Sequence, residues 1–299
     1  MMAAPRTSGV RGEIRYDEPM SRHTSWRVGG PADVFFVPAS IDDLAQYLAG
    51  LDDDTPLFWH GAGSNLLVRD AGLRGVVISA TKILRHLERL DGRRVRAGAG
   101  VPCTQLARQC IRWQLGPSEF FAGIPGTVGG ALAMNAGAHG GETWQRVASV
   151  CTIDRHGQRH ERTAADYDIA YRSVRGPAEE WFLEAIFQFE PDVTPSMENM
   201  KAMLERRKTT QPLGLPSCGS VFRNPPGDYS ARLIEKAGLK GLRIGGAEVS
   251  TKHANFIINR KDASAADIES LIEHVRNTVL DVHGVSLVHE VRIVGEAGP

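Results

Sequence analysis

Residues 121–141 read FAGIPGTVGGALAMNAGAHGG, and seven of these positions, Gly123, Gly126, Gly129, Gly130, Gly137, Gly140 and Gly141, are glycine. A glycine inside regular structure costs about 0.5–1 kcal/mol relative to alanine. A stretch that carries several uses them for left-handed backbone or for very close approach of chains. The polar residues between them, Thr127 and Asn135, are small. Exposed N–H groups in such a loop make a concavity suited to a phosphate or to the polar edge of a flat ring. A tightly packed connection between helix and strand is the other reading of the glycines alone, and the rest of the chain decides between the two.

At 299 residues the chain is long for one core and suits two or three subdomains. It is 42% hydrophobic and 23% charged with a formal net charge of zero, an ordinary globular profile. That balance argues against broad nucleic-acid binding, which needs a basic footprint. It leaves room for a local basic pocket that takes an anionic small molecule. No run approaches the roughly 20 apolar residues of a membrane span. The N-terminal MMAAPRTSGVRGEIRYDEP lacks an apolar h-region, so it reads as a frayed leader and not as a secretory signal. The cysteines, Cys103, Cys110, Cys151 and Cys218, include no Cys-x-x-Cys pair and form no metal or disulfide framework. Cytoplasmic residence is the default.

Upstream of the glycine-rich stretch, Asp33–Val37 reads as a strand after the turn Gly29-Gly30-Pro31. Ile41, Leu44, Ala45 and Leu48 lie at helical spacing up to Gly50. Strands are expected at 56–60, 75–79 and 93–97, and a helix near 102–114 whose face of Cys103, Leu106, Cys110 and Trp113 puts two cysteines in the core. Downstream, 147–154 and 181–190 alternate as strands around a charged middle, and Pro191 and Pro195 bracket a boundary. Helices follow near 196–208 and 229–237, with a strand at 255–259. A helix capped by Ser264 and Asp267 carries a stripe of Ile268, Leu271, Ile272, Val275, Val279 and Val282 up to Gly284. The alternating 286–294 is expected to be the last strand.

A second glycine loop, Gly61-Ala62-Gly63-Ser64-Asn65, follows a strand. Its sixth position is Leu66 and no acidic residue stands about 20 residues on, so it is not a Rossmann fingerprint. With two side chains that donate and its own N–H groups it still makes a pyrophosphate cradle, the alternative being a plain turn. Two such loops on neighbouring blocks suggest a dinucleotide held by both. The motifs HTSWRVGG (23–30), GAGSNLLV (61–68) and GIPGTVGGALAMNAGAHG (123–140) resemble the flavin-binding half of the UDP-N-acetylenolpyruvoylglucosamine reductase family, within the vanillyl-alcohol-oxidase-like FAD superfamily. Tyr171-Arg172-Ser173, SCGSVFRNP (217–225), KHANFIIN (252–259) and HEVRIVG (289–295) agree with it in the same order.

The resemblance implies an α+β fold with two FAD subdomains, residues 1–80 and 81–192, and a C-terminal α/β substrate domain, residues 193–299, whose final strand returns toward the flavin. It implies reduction of UDP-N-acetylglucosamine enolpyruvate to UDP-N-acetylmuramate for peptidoglycan synthesis, with FAD as cofactor, NADPH as hydride donor, and neither nucleic acid nor membrane as partner. FAD would be held by Gly61, Ala62, Gly63, Ser64, Asn65, Leu66, Gly123, Ile124, Pro125, Gly126, Thr127, Gly129, Gly130, Asn135 and Gly137. Nothing marks covalent flavin attachment, although His139 is a side chain of a type that carries it. Arg172 corresponds to the residue that meets the substrate carboxylate, Ser220 to the proton donor and Glu290 to the carboxylic acid of the last strand. Tyr171, Arg223, Asn224, His253 and Asn255 correspond to positions near the nucleotide sugar, and Arg223 suits a diphosphate. Longer relatives carry an extra segment between the arginine and the serine, and its absence here matches the shorter subclass. Two other functions remain open at this point, a flavin-dependent alcohol oxidase of the same superfamily and a non-catalytic nucleotide-sugar-binding protein.

Overall fold

The computed structural model describes residues 9–298. The chain mixes helices and strands and divides into two compact units. The first takes residues up to 15, 35–61 and 76–206, and the second takes 16–34, 62–75 and 207 onward. The strands Glu13–Pro19, Pro31–Val37 and Leu73–Ile78 and the helix Met197–Thr210 continue from one unit into the other. The last seven residues of the expected leader, Glu13–Pro19, form a strand. Residues 1–8 of that leader lie outside the described residues.

In the first unit an antiparallel sheet runs in the order Arg159–Arg162, Val147–Asp154, Glu180–Gln188, Arg94–Gly98, Leu87–Leu90. Alternation fixes its buried face. Leu183, Ala185 and Phe187 are buried on one strand, and Val95 and Ala97 alternate with Arg94 and Arg96 on the next. Thr152 and Ile153 are both buried, because a bulge between Cys151 and Thr152 breaks the alternation there. The helix Cys103–Arg112 adds Cys103, Leu106, Ala107, Cys110 and Ile111 to the same core. Both of its cysteines are core residues, as the spacing predicts, while Trp113 is only partly buried. The helix Ile41–Ala49 starts where Ser40 Oγ accepts from Asp43 N at 3.1 Å and ends at Gly50.

In the second unit the helix Ala265–His283 is the largest element, opened by the capping box of Ser264 and Asp267 and closed by left-handed Gly284 at φ 68°. Ile268, Leu271, Ile272, Val275 and Val279 are buried as expected, but Val282 is 56% exposed. The stripe continues through His283, four residues after Val279, whose Nε2 lies 3.1 Å from Leu233 O. A three-stranded antiparallel sheet, Arg243–Ile244, Ala247–Val249 and Ile257–Asn259, packs on this helix. The expected strand over 286–294 shrinks to Arg292–Val294, which pairs in parallel with Leu66–Val68. Its first half is drawn away by loop partners, because Arg223 N donates to Val288 O at 2.9 Å and Glu290 N to Val221 O at 2.8 Å.

Candidate active site

In the first unit, residues 119–142 fold as a 3-10 helix Glu119–Gly123, a turn, the helix Val128–Met134 and a minimal hairpin joining Gly137–Ala138 to Gly141–Glu142. The turn is sewn to the loop that follows the strand Arg94–Gly98. Cys103 N donates to Gly126 O at 3.0 Å, Val128 N to Val101 O at 2.9 Å and Gly129 N to Ala99 O at 2.9 Å. The glycines then separate by cause. A Cβ at Gly129 would lie 2.9 Å from Ala99 Cβ, one at Gly123 2.6 Å from Ala138 Cβ, and one at Gly137 2.3 Å from Gly141 O. Those three are required by the protein's own packing. At Gly130 no described atom lies within 4 Å of such a Cβ, and at Gly61 the nearest is Thr127 Oγ1 at 3.7 Å. Packing gives no reason for glycine at either, and the structure brings Gly61 beside Thr127.

Tyr171 and Arg172 form the two-residue turn of a hairpin that joins Asp168–Ala170 to Ser173–Arg175. Arg172 sits at φ 54°, where glycine or asparagine is normally found. Its Nη1 donates to Asn135 O at 3.3 Å and its Nη2 to Gly137 O at 2.7 Å, and its Cζ lies 4.9 Å from the centre of the Tyr171 ring. The guanidinium is thus tied to two backbone oxygens of the glycine-rich stretch. Asn135 is 2% exposed, so its side chain serves the protein interior.

In the second unit, Ala62–Leu66 lead into the strand Leu66–Val68. Gly63 is left-handed at φ 62°, and a Cβ there would lie 1.9 Å from His23 O, so this glycine seats the loop on the HTSWRVGG segment. Asn65 Nδ2 donates to Glu290 O at 2.9 Å and Arg292 N donates to Asn65 O at 3.1 Å. The turn that carries Ser220 meets the same segment: Glu290 N donates to Val221 O at 2.8 Å, and Val221 N to Asn255 O at 2.9 Å. Asn255 reads Phe222 as a peptide would, with Phe222 N donating to Oδ1 at 3.0 Å and Nδ2 donating to Phe222 O at 2.8 Å. Cys218 Sγ lies 3.5 Å from Leu66 O, and burial pushes its thiol up to about 12, so it stays a donor. The structure therefore gathers Asn65, Ser220, Asn255 and Glu290 through main-chain ties.

The remaining side chains expected near a nucleotide sugar also lie in this unit. Asn224 Oδ1 accepts from Ser230 N at 3.1 Å at the start of the helix Ser230–Lys236. Among the described residues, Arg223 Nε and His253 Nδ1 are buried with no hydrogen-bond partner. The His253 ring meets Phe256 edge-on at 4.8 Å between centroids, and burial holds its imidazole below the usual value. No group of His, Cys, Asp and Glu among the described residues could hold a metal ion, and no described helix is long and apolar enough to cross a membrane.

Residues 32–162 match the FAD binding domain family, and residues 211–294 match the UDP-N-acetylenolpyruvoylglucosamine reductase C-terminal domain. Over 298 residues, 99% of each chain, the sequence is 59% identical to a UDP-N-acetylenolpyruvoylglucosamine reductase from Alkalilimnicola ehrlichii. The chain belongs to the UDP-N-acetylenolpyruvoylglucosamine reductase family. A relative of that name from Methylococcus capsulatus is 53% identical over 99% of this chain and 97% of its own. The crystal structure of the Thermus caldophilus reductase is 30% identical and covers 95% of this chain and 98% of its own, with a TM-score of 0.79. The fold is therefore the family's α+β arrangement, an FAD-binding domain followed by the family's C-terminal domain.

Two features next to the expected site residues went unread in the sequence. The loop Gly98-Ala99-Gly100 backs the 125–129 turn, and its signal, a Gly-x-Gly after a strand, is the one that marked Gly61-Ala62-Gly63. Glu142 accepts from Asn135 Nδ2 at 2.8 Å, and no spacing rule points from an acid at the edge of a hairpin to an asparagine seven residues earlier.

Proposed function

We propose that this chain catalyses the FAD-mediated reduction of UDP-N-acetylglucosamine enolpyruvate by NADPH, giving UDP-N-acetylmuramate for peptidoglycan synthesis in the cytoplasm. Membership of the reductase family along nearly the whole chain carries this reading. The residues present fit FAD: the glycines at 61 and 130 leave open surface that protein packing does not use. Gly61–Leu66 and the glycine-rich turn from Gly123 to Gly137 would hold the cofactor, within residues 1–80 and 81–192, while 193–299 would hold the substrate. Bound FAD supplies the two-electron relay between NADPH and the substrate.

The substrate is an enol ether that bears a carboxylate. Reduction places a hydride on its methylene carbon and a proton on the neighbouring carbon, and negative charge grows on the carboxylate between the two events. Arg172 offers the carboxylate a planar fork of donors, with its side chain oriented by Asn135 O and Gly137 O. Ser220 gives its hydroxyl proton to the neighbouring carbon. A serine is a weak acid, but an enolate-like carbon is basic enough to take the proton. Glu290 acts as a neutral acid or through a shared proton, because an ionised carboxylate would repel the developing charge. Each such donor contributes about 10²–10³ in rate. Arg223 meets the diphosphate and His253 the sugar, and each has a buried nitrogen with no hydrogen-bond partner among the described residues. Tyr171 would bind the nucleotide sugar. Asn224 and Asn255 act by ordering the turn that carries Ser220 and Arg223.

Anaerobic absorbance spectroscopy tests this reading. The purified protein is expected to carry a flavin band that NADPH bleaches and that the enolpyruvyl substrate restores, with a product heavier by two hydrogens. A band that NADPH leaves untouched, or that only oxygen restores, would overturn it.

A further inference from the structure

The backbone oxygens of Asn135 and Gly137 that accept from Arg172 lead on to an acid with no assigned role, Glu142. Both of its backbone acceptors are themselves fixed. Asn135 closes the helix Val128–Met134 in a left-handed conformation, φ 45° and ψ 50°. Its amide nitrogen donates to Glu142 Oε2 at 2.8 Å and to Ala170 O at 3.3 Å, and its amide oxygen accepts from Trp144 N at 3.1 Å. Ala170 is the last residue of the strand that enters the Tyr171-Arg172 turn. Gly137, the other acceptor, pairs with Glu142 across the minimal hairpin. The tip of that hairpin, His139-Gly140, has φ of 52° and 86°, the signature of a rigid two-residue turn. Glu142 therefore touches both anchors, one through its carboxylate and one through its backbone.

The arrangement has one satisfied orientation. Turning the Asn135 amide over would set its oxygen against the Glu142 carboxylate and the Ala170 carbonyl, and its N–H₂ against the Trp144 N–H. The carboxylate enforces the observed orientation with a charge-assisted hydrogen bond, stronger than one between neutral groups. It is itself held in place, because its backbone N donates to Gln145 Oε1 at 3.1 Å in a capping box.

We propose that Glu142, acting through Asn135, is a positioning residue for Arg172 that sets where the guanidinium meets the substrate carboxylate. The inference rests on the role given to Arg172 above. Charge at the substrate carboxylate grows only when the enolpyruvyl group is reduced, so the loss is confined to that half-reaction. NADPH oxidation by the flavin does not use it.

The experiment is anaerobic stopped-flow absorbance on the FAD-bound enzyme, with each half-reaction run separately. Misplacing a catalytic group by about 1 Å costs on the order of 100-fold. Glu142→Ala is expected to slow flavin re-oxidation by the enolpyruvyl substrate by about 10- to 100-fold and to leave reduction by NADPH within twofold. Glu142→Gln, which keeps an acceptor oxygen, is expected to recover most of the rate. Glu142→Asp, which can still cap the following turn but draws the carboxylate back from the Asn135 amide by one methylene, is expected to behave like Glu142→Ala and gives the same test should the alanine variant fail to fold. In an Arg172→Lys background Glu142→Ala is expected to add nothing further, since residues that act through one another are not additive. Re-oxidation within twofold of wild type, equal slowing of both halves, or an undiminished effect in the lysine background each overturn the proposal. Arg172→Lys with unimpaired re-oxidation overturns the role of Arg172 itself, and this inference falls with it.

Discussion

Gly130→Ala separates a glycine kept for the cofactor from one kept for the protein. Gly130 is the third residue of the helix Val128–Met134, and no described atom lies within 4 Å of a Cβ placed there. Alanine is favoured over glycine in a helix by about 0.5–1 kcal/mol. The flavin-free variant is therefore expected to melt higher by about 1–3 °C. FAD resting on this backbone would meet the new methyl, and displacing a packed group costs about 1–3 kcal/mol. That weakens FAD binding by about 5- to 150-fold. The two effects have opposite signs, which a general loss of folding cannot imitate. Gly129→Ala is the contrast, because its Cβ would sit 2.9 Å from Ala99 Cβ and destabilise the protein with or without flavin. The assay pairs calorimetric melting of flavin-stripped protein with FAD titration followed by flavin fluorescence. A Gly130→Ala protein that binds FAD as tightly as wild type would refute cofactor approach at this glycine.

Ser220→Ala is expected to leave a yellow protein that NADPH bleaches normally, with re-oxidation by the enolpyruvyl substrate slowed by about 10²–10⁴; equal slowing of both halves would make Ser220 a structural turn residue. Asn255→Ala strips two hydrogen bonds from the buried Phe222 backbone and is expected to cost about 2–4 kcal/mol in urea unfolding; a loss below 0.5 kcal/mol would remove Asn255 from the scaffold. His253 and His289 are both held below the usual imidazole value of 6.5 by burial. The unfolded chain then binds protons that the folded one does not, so stability falls as the pH drops below about 6.5, and it levels once each folded imidazole has charged. Melting curves from pH 7.5 to 5 are expected to show that slope, and the double variant His253→Asn, His289→Asn to flatten it; an unchanged slope would place its source elsewhere.

The periodic parts of this fold were legible because burial leaves a regular mark. Leu183, Ala185 and Phe187 alternate, and Ile268 through Val279 recur at helical spacing. Legibility ended where the backbone stops repeating. Leu66–Val68 sits after a glycine loop and needs its parallel partner Arg292–Val294, more than two hundred residues later, to exist as a strand. Among the glycines, sequence shows which positions lack a side chain but not why, and only neighbours such as Ala99 beside Gly129 tell packing from open surface. The asparagines make the same point more sharply. Asn65, Asn135 and Asn255 are all expected near ligand, and each amide bonds to backbone: Asn65 to Glu290 O, Asn135 to Ala170 O and Trp144 N, Asn255 to both groups of Phe222. A primary amide carries the donor and acceptor of a peptide group, so in an irregular loop it replaces the missing ladder partner. Each of the three stands beside one reactive candidate, holding respectively the backbone of Glu290, the seat of Arg172 and the turn after Ser220. A loop that must hold a side chain for chemistry cannot borrow rigidity from a helix or a sheet. These amides supply it, which gives the loops of this motif a structural reason to carry asparagine.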